Sequence, residues 1–262
     1  MVTDAAASSP SSPAPSSFRL AYVPGVTPAK WVRIWEERLP GIPLALVPVP
    51  AAEAPGLLRE GSADAGFVRL PVDRTYFSAI PLWTETTVVV VPKDHLVTAA
   101  DEVTLDELAD EIVLHPLDDV LGWERPPGRP AFERPATTGD AVELVAAGIG
   151  VLVVPQSLAR LHHRKDLTYR PVTDAPQSQV ALAWPEEATT DMVEDFIGIV
   201  RGRTVNSTRG RTKTTEDKPA RKAVAQQSRS APHKKAAPRR GSPKGGGPKG
   251  GGGRRGKPRR RS

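Results

Sequence analysis

Four places in the chain offer hydroxyl or guanidinium side chains that could hold a polar ligand group. Thr27 precedes Pro28, where a helix should start. Its hydroxyl either caps that helix or, beside the free N–H groups of the first turn, receives an acid. Arg69 closes the run Ala65-Gly-Phe-Val-Arg69 and is followed by Leu70 and Pro71. An arginine in such apolar company is costly unless paired. Its partner is either a ligand carboxylate gripped through two parallel bonds or a structural acid, Asp64, Asp73 or Glu85. Thr137 and Thr138 stand before a helix and could offer hydroxyls, although Asp140 in the first turn already uses that helix's positive end. Ser157, in Pro155-Gln-Ser157, begins a further helix and is equally a cap or a contact.

Patterns that would turn a substrate over are not seen. His95, His115, His162, His163 and His233 have no metal-ligand spacing. The pair His162-His163 falls in a polar stretch after a helix, where a solvated surface is expected. Gly148-Ile-Gly150 reads as a helix-ending turn without the third glycine of a dinucleotide fingerprint, and neither a P-loop nor a Gly-x-Ser-x-Gly elbow occurs. Cysteine is absent, which removes disulfides and thiolate chemistry. No catalytic residue, metal or cofactor is expected, and the chain reads as a non-enzyme.

The elements that must position these residues alternate. Phe18–Val23 is a β-prone run closed by Pro24-Gly25, and Trp31, Ile34, Trp35 and Leu39 follow at helical spacing up to Pro40-Gly41. For Trp31 and Trp35, core packing is the default, with a dimer surface as the alternative. Ile42–Val49 is the next strand, 53–60 a short helix and Ala65–Val68 a third strand. Strand, helix, strand, helix, strand with short joints predicts right-handed parallel crossovers. Phe77–Trp83 and Thr86–Val91 are further strands, the second apolar enough to lie between layers. Thr104-Leu-Asp-Glu107 is a capping box, with Leu105, Leu108 and Ile112 predicting a helix behind it. Ile112–His115 opens a second α/β unit, and 116–135 is loop-like with five prolines. A helix over 139–147, a buried strand over 151–154, a helix over 156–161 and strands over 167–171 and 179–184 follow. An amphipathic helix over 189–201 closes the pattern.

Charge divides the chain into two objects. It has 262 residues, with 36 Lys+Arg against 30 Asp+Glu. From Arg203 to Ser262 there are 20 Lys/Arg and two acids, which leaves 16 basic and 28 acidic residues in 1–202, a net of −12. The tail holds ten glycines and six prolines and repeats Pro-Lys-Gly-Gly-Gly, so it should be disordered. The leader 1–17 is Ala/Ser/Pro-rich, has no apolar stretch of a secretory signal, and should also be disordered. No apolar run approaches the roughly 20 residues that cross a bilayer. A soluble, cytoplasmic protein with no membrane partner is expected.

Three stretches carry a resemblance to a known family. They are Leu57-Leu-Arg-Glu-Gly-Ser-Ala-Asp-Ala-Gly-Phe-Val-Arg-Leu-Pro71, Trp83-Thr-Glu-Thr-Thr-Val-Val-Val-Val-Pro-Lys-Asp-His95 with Val103–Leu108 behind it, and Val142-Glu-Leu-Val-Ala-Ala-Gly-Ile-Gly-Val-Leu-Val-Val-Pro-Gln-Ser157. Together, over about 18–202, they resemble the effector-binding domain of LysR-type transcriptional regulators, of the type II periplasmic-binding-protein fold. The resemblance implies an α/β body of two lobes. Lobe I would take 18–90 and 179–202, and lobe II 91–178, with a small anionic metabolite in the cleft between them. It implies effector contacts at Gly25, Val26, Thr27, Arg69, Pro71, Thr137, Thr138, Pro155 and Ser157. Ala51 stands where aromatic-acid-sensing relatives have a threonine. Family members begin with a winged helix-turn-helix, whereas 17 residues precede the effector domain here, so base-specific reading is not expected. Effector domains of this family associate side by side, which implies a homo-oligomer or association with full-length LysR-type regulators.

The tail resembles those of histone H1-like bacterial proteins, in Lys234-Lys235-Ala-Ala-Pro-Arg239-Arg240 and Arg254-Arg255-Gly-Lys257-Pro-Arg259-Arg260-Arg261, with Lys244 and Lys249 in the repeats. These cations predict non-specific, salt-sensitive contact with DNA phosphates and hence nucleoid association. The tail could instead fold onto the acidic body, or only solubilise it. Two functions remain open: a carboxylate-sensing regulator whose tail tethers it to DNA, or a nucleoid- or RNA-associated protein with a vestigial cleft.

Overall fold

Apolar residues at Phe18, Leu20 and Ala21 bury the first strand, β1 (Phe18–Tyr22), and the parallel pairing expected of a strand–helix–strand pattern follows from it. The computed structural model describes residues 17–203; the leader and the basic run with the cations expected to contact DNA phosphates, Lys234 to Arg261, lie outside them. Helix α1 (Ala29–Arg38) leads to β2 (Leu44–Pro48), and α2 (Ala54–Arg59) to β3 (Ala65–Arg69). Both β2 and β3 pair with β1 in parallel. After β4 (Phe77–Glu85) the chain leaves this sheet and returns as β10 (Ser178–Pro185), which pairs antiparallel with β3 and β4. The first sheet therefore runs β2-β1-β3-β10-β4.

Between these passages lies the second sheet. It is built from β5 (Thr87–Pro92), β6 (Ile112–Leu114), β7 (Arg129–Pro130), β8 (Val151–Pro155) and β9 (Leu167–Pro171), in the order β7-β6-β8-β5-β9. Helices α3 (Thr138–Ala146) and α4 (Gln156–Leu161) flank β8 in sequence. Closing helix α5 (Asp191–Val200) packs on the first sheet's core, where Phe196 meets Phe18 with ring centroids 5.2 Å apart. Trp31 and Trp35 point into the same core; Trp35 stacks on Phe18 at 4.7 Å and donates its Nε1 proton to the Ile42 carbonyl at 2.8 Å.

Three expectations need correcting. The first lobe ends at Glu85 and not at residue 90, because β5 belongs wholly to the second sheet. Its Val88 and Val90 bury on one face and Val89 and Val91 on the other, so the strand is covered on both sides as a central strand must be. Thr27 does not cap α1. Pro28 is already helical (φ −78°, ψ −7°) and takes the capping position, its carbonyl accepting the Trp31 and Val32 N–H groups, while Thr27 stays exposed. Around Thr104 only half of the capping box forms: the Thr104 N–H and hydroxyl both donate to Glu107 Oε2, at 2.7 and 3.1 Å, and no side-chain oxygen caps the turn. The Leu105 N–H donates to Asp174, and the turn behind it is a single 3-10 stretch, Asp106–Leu108. Only three residues separate Leu108 from β6, which leaves no room for a full helix.

Candidate functional site

The carboxyl ends of the parallel strands β1, β2 and β3 face the first turns of the second-lobe helices, the place where open α/β sheets hold ligands. A cleft of about 600 Å³ opens there. One wall belongs to the first lobe: Tyr22, the loop Pro24-Gly25-Val26, the segment 48–51 behind β2, and Arg69 at the end of β3. The other belongs to the second lobe: Asp118 and Val120 from the loop after β6, Thr137, Thr138 and Gly139 opening α3, and Leu158, Leu161 and His162 along α4. Most of the lining is apolar, with a few convergent polar groups, as small-molecule sites are built.

Of the residues expected at a site, Gly25, Val26, Arg69, Thr137 and Thr138 line this cleft. Ser157 stands beside it, its Oγ accepting from Arg69 Nη2 at 3.3 Å. Thr27 is exposed and outside the lining, Pro71 is exposed beyond the cis Leu70–Pro71 bond, and Pro155 is the buried last residue of β8.

Arg69 is 8% exposed and structurally paired. Its Nη1 donates to Glu85, also buried, and to Ser178 Oγ at 2.6 Å. The other candidate acids have their own cations: Asp64 pairs with Arg19 at 2.7 Å and Asp73 with Arg59 at 2.9 Å. What remains of the guanidinium is Nη2, with longer bonds to the Pro24 carbonyl at 3.2 Å and to Ser157, and Nε, buried without a hydrogen-bond partner. Gly25 makes this packing fit. Its φ of +87° is a glycine conformation, and a β-carbon there would collide with Ser157 Oγ and lie 3.3 Å from Arg69 Nη2.

On the opposite wall, Thr137 closes a capping box on α3. Its Oγ1 accepts the Asp140 N–H at 3.0 Å, and the Asp140 carboxylate accepts the Thr137 N–H at 3.1 Å. That hydroxyl is therefore committed to the helix. Thr138, 2% exposed, donates its hydroxyl to Asp118 Oδ1 at 2.9 Å. His162 is not the solvated residue expected from its polar neighbours. It is half-buried in the cleft with its ring against Gly139, while His163 is exposed. Sequence reasoning missed Asp118 and His162 because one sits in a proline-rich loop and the other at a helix end, where no periodicity marks the inward face.

A smaller cavity of about 360 Å³ lies beside His115 and Arg134, but Arg134 donates to the His115 and Pro116 carbonyls at 2.8 and 2.7 Å. Carboxyls held below their ordinary range are Asp73, through the Thr75 hydroxyl and amide and then Arg59, and Asp166, through Arg164; both are outside the cleft. No cluster of His, Cys, Asp or Glu among the described residues has metal-site geometry, and no helix there is long and apolar enough to cross a membrane.

A two-lobed α/β body with a cleft at its strand ends defines a periplasmic-binding-protein-like ligand-binding domain. The LysR substrate binding domain model matches residues 16–204, and the chain belongs to that family. It is 31% identical over 165 residues to a probable hydrogen peroxide-inducible genes activator of Mycobacterium avium, covering 58% of this chain and 53% of that protein. It is 26% identical over 183 residues to the Hca operon transcriptional activator HcaR of Escherichia coli (strain K12), covering 65% and 61%. The chain thus spans about half to three fifths of the length of the curated relatives it matches. Among solved structures, the BenM effector binding domain with its effector benzoate superposes with a TM-score of 0.60 at 20% identity, covering 71% of this chain and 91% of that one. The reduced OxyR regulatory domain from Pseudomonas aeruginosa gives 0.58 at 22%, covering 71% and 98%. Both curated relatives are named as activators of genes or of an operon.

Proposed function

We propose that this chain is a non-enzymatic sensor of a small carboxylate that takes part in transcription regulation. The observation that carries it is the cleft itself: about 600 Å³, lined from both lobes, largely apolar, with the Arg69 guanidinium in its wall. The two bonds of Arg69 Nη2, at 3.2 and 3.3 Å, are long for a charged donor and are exchanged for a ligand oxygen at little cost. Because Glu85 balances the charge of Arg69, the apolar body of the ligand must supply much of the affinity. A BenM structure holds benzoate as its effector, which supports an acid with an apolar body here. A thiol is not the sensing group, since the chain has no cysteine.

The same proposal gives the tail a role: with 20 Lys/Arg and two acids in 203–262, it contacts DNA phosphates without reading bases. Association with full-length LysR-type regulators would bring the sensor to specific promoters, whereas a homo-oligomer would only multiply its tails on DNA.

Equilibrium dialysis of the full chain against a panel of small aromatic and aliphatic carboxylates tests the sensing role. At least one acid is expected to be retained, and Ala51→Trp, which fills the cleft from its β2–α2 side, is expected to abolish retention. A panel in which nothing is retained, or in which Ala51→Trp retains the ligand unchanged, contradicts the proposal.

A further inference from the structure

Asp118 is an exposed acid in the wall of the cleft, solvated until a ligand covers it. One of its oxygens, Oδ1, is fixed by the hydroxyl of buried Thr138 at 2.9 Å, so the side chain is held against the first turn of α3. Its other oxygen, Oδ2, has no hydrogen-bond or ion-pair partner among the described residues, and Asp118 lines the cleft. On the same turn of α3, Gly139 receives the ring of His162: a β-carbon there would lie 3.3 Å from its Cε1 and 3.4 Å from its Nδ1. Neither ring nitrogen of His162 is bonded among the described residues. Around this pair the wall is apolar, with Val120, Leu158 and Leu161.

An acid with a plain hydrocarbon body would press that body against an ionised carboxylate and strip its water without giving it a donor. Leaving a charged acceptor unpaired is costly, whereas a hydrogen bond to it is among the stronger ones a ligand can make. We infer that the second-lobe wall, through Asp118 with His162 beside it, selects acids that also carry a hydrogen-bond donor, a hydroxyl or an ammonium group. The inference rests on the carboxylate-sensing function proposed for this cleft. The ligand's acid faces Arg69 on the first lobe and its donor faces Asp118 on the second, so the ligand joins both walls.

The experiment is calorimetric titration of the full chain with two matched sets of probes. One set is 3-phenylpropanoate, 3-phenyllactate and phenylalanine; the other is butanoate, 2-hydroxybutanoate and 2-aminobutanoate. In at least one set the hydroxy or amino member should bind about tenfold or more tightly than its unsubstituted parent. Asp118→Asn should bring that ratio close to one mainly by tightening the parent, because the unpaired charge its hydrocarbon body covers is removed, and retained parent binding shows that the cleft is intact. Parents binding as tightly as their substituted partners in the natural chain overturn the inference, as does a ratio that survives Asp118→Asn; either leaves carboxylate sensing standing. If neither these probes nor any other acid binds, the sensing function falls and this inference with it.

Discussion

Glu85 precedes the chain's first passage between the sheets and Ser178 follows the second, and Arg69 Nη1 donates to both. A buried pair of this kind is costly to break from one side. Arg69→Met should destabilise the body by about 3–5 kcal/mol in denaturant unfolding, because Glu85 is left charged and unpaired, and Arg69→Met/Glu85→Leu should recover most of that loss. Gly25 makes a second residue-scale test. Gly25→Ala forces an L side chain into φ +87° and against Ser157, so a loss of about 1–3 kcal/mol is expected. Adding Ser157→Gly should relieve the collision and leave the backbone strain, restoring stability only in part. The sequence showed that Arg69 needed a partner and that Glu85 was among the candidates. It could not show which acid lay nearest, because the two residues lie on different strands and their separation depends on sheet order.

Elements were legible where a period repeated. The helix carrying Trp31 and Trp35, the buried run Val88–Val91 and the closing helix with Phe196 all form close to their expected places. Legibility failed where a local signal competed with the space available. Pro28 took the capping position expected of Thr27, and the half-formed box at Thr104 is followed by one short turn because only three residues separate that turn from β6. Asp118 and His162 escaped notice because loop and helix-end residues carry no face. Closing helix α5 has both a working cap and a buried anchor. The Thr190 hydroxyl accepts the Val193 N–H at 3.3 Å, and Phe196 is fully buried against Phe18, Trp35 and Phe67. Thr190→Ala should cost about 1 kcal/mol and Phe196→Ala about 3–5 kcal/mol in denaturant unfolding. Equal losses from the two would contradict the view that packing holds this helix.

At the scale of the molecule, charge separates an acidic body from a basic tail, and the salt dependence of DNA binding reads the tail directly. The full chain should bind a random duplex with affinity that falls steeply with salt, by a slope of about −0.9 per phosphate neutralised, and a chain ending at residue 203 should not bind. Acid should weaken the body slightly. Asp73 and Asp166 titrate below the ordinary value of 3.8 when folded, so their contribution is present above that value and is lost as pH falls through their folded values. Between pH 6 and 8 those two groups should leave stability unchanged, which thermal melts at several pH values would check. The central claim is that the cleft between the lobes takes a small acid, and thermal unfolding of the full chain with each acid of a panel tests it most directly. A ligand present at a hundredfold excess over its Kd adds about 2.7 kcal/mol. For a body of this size that should raise Tm by about 5–10 °C. The rise should grow with ligand concentration and vanish in Ala51→Trp. A Tm that no acid moves, or a rise that Ala51→Trp keeps, would contradict the account.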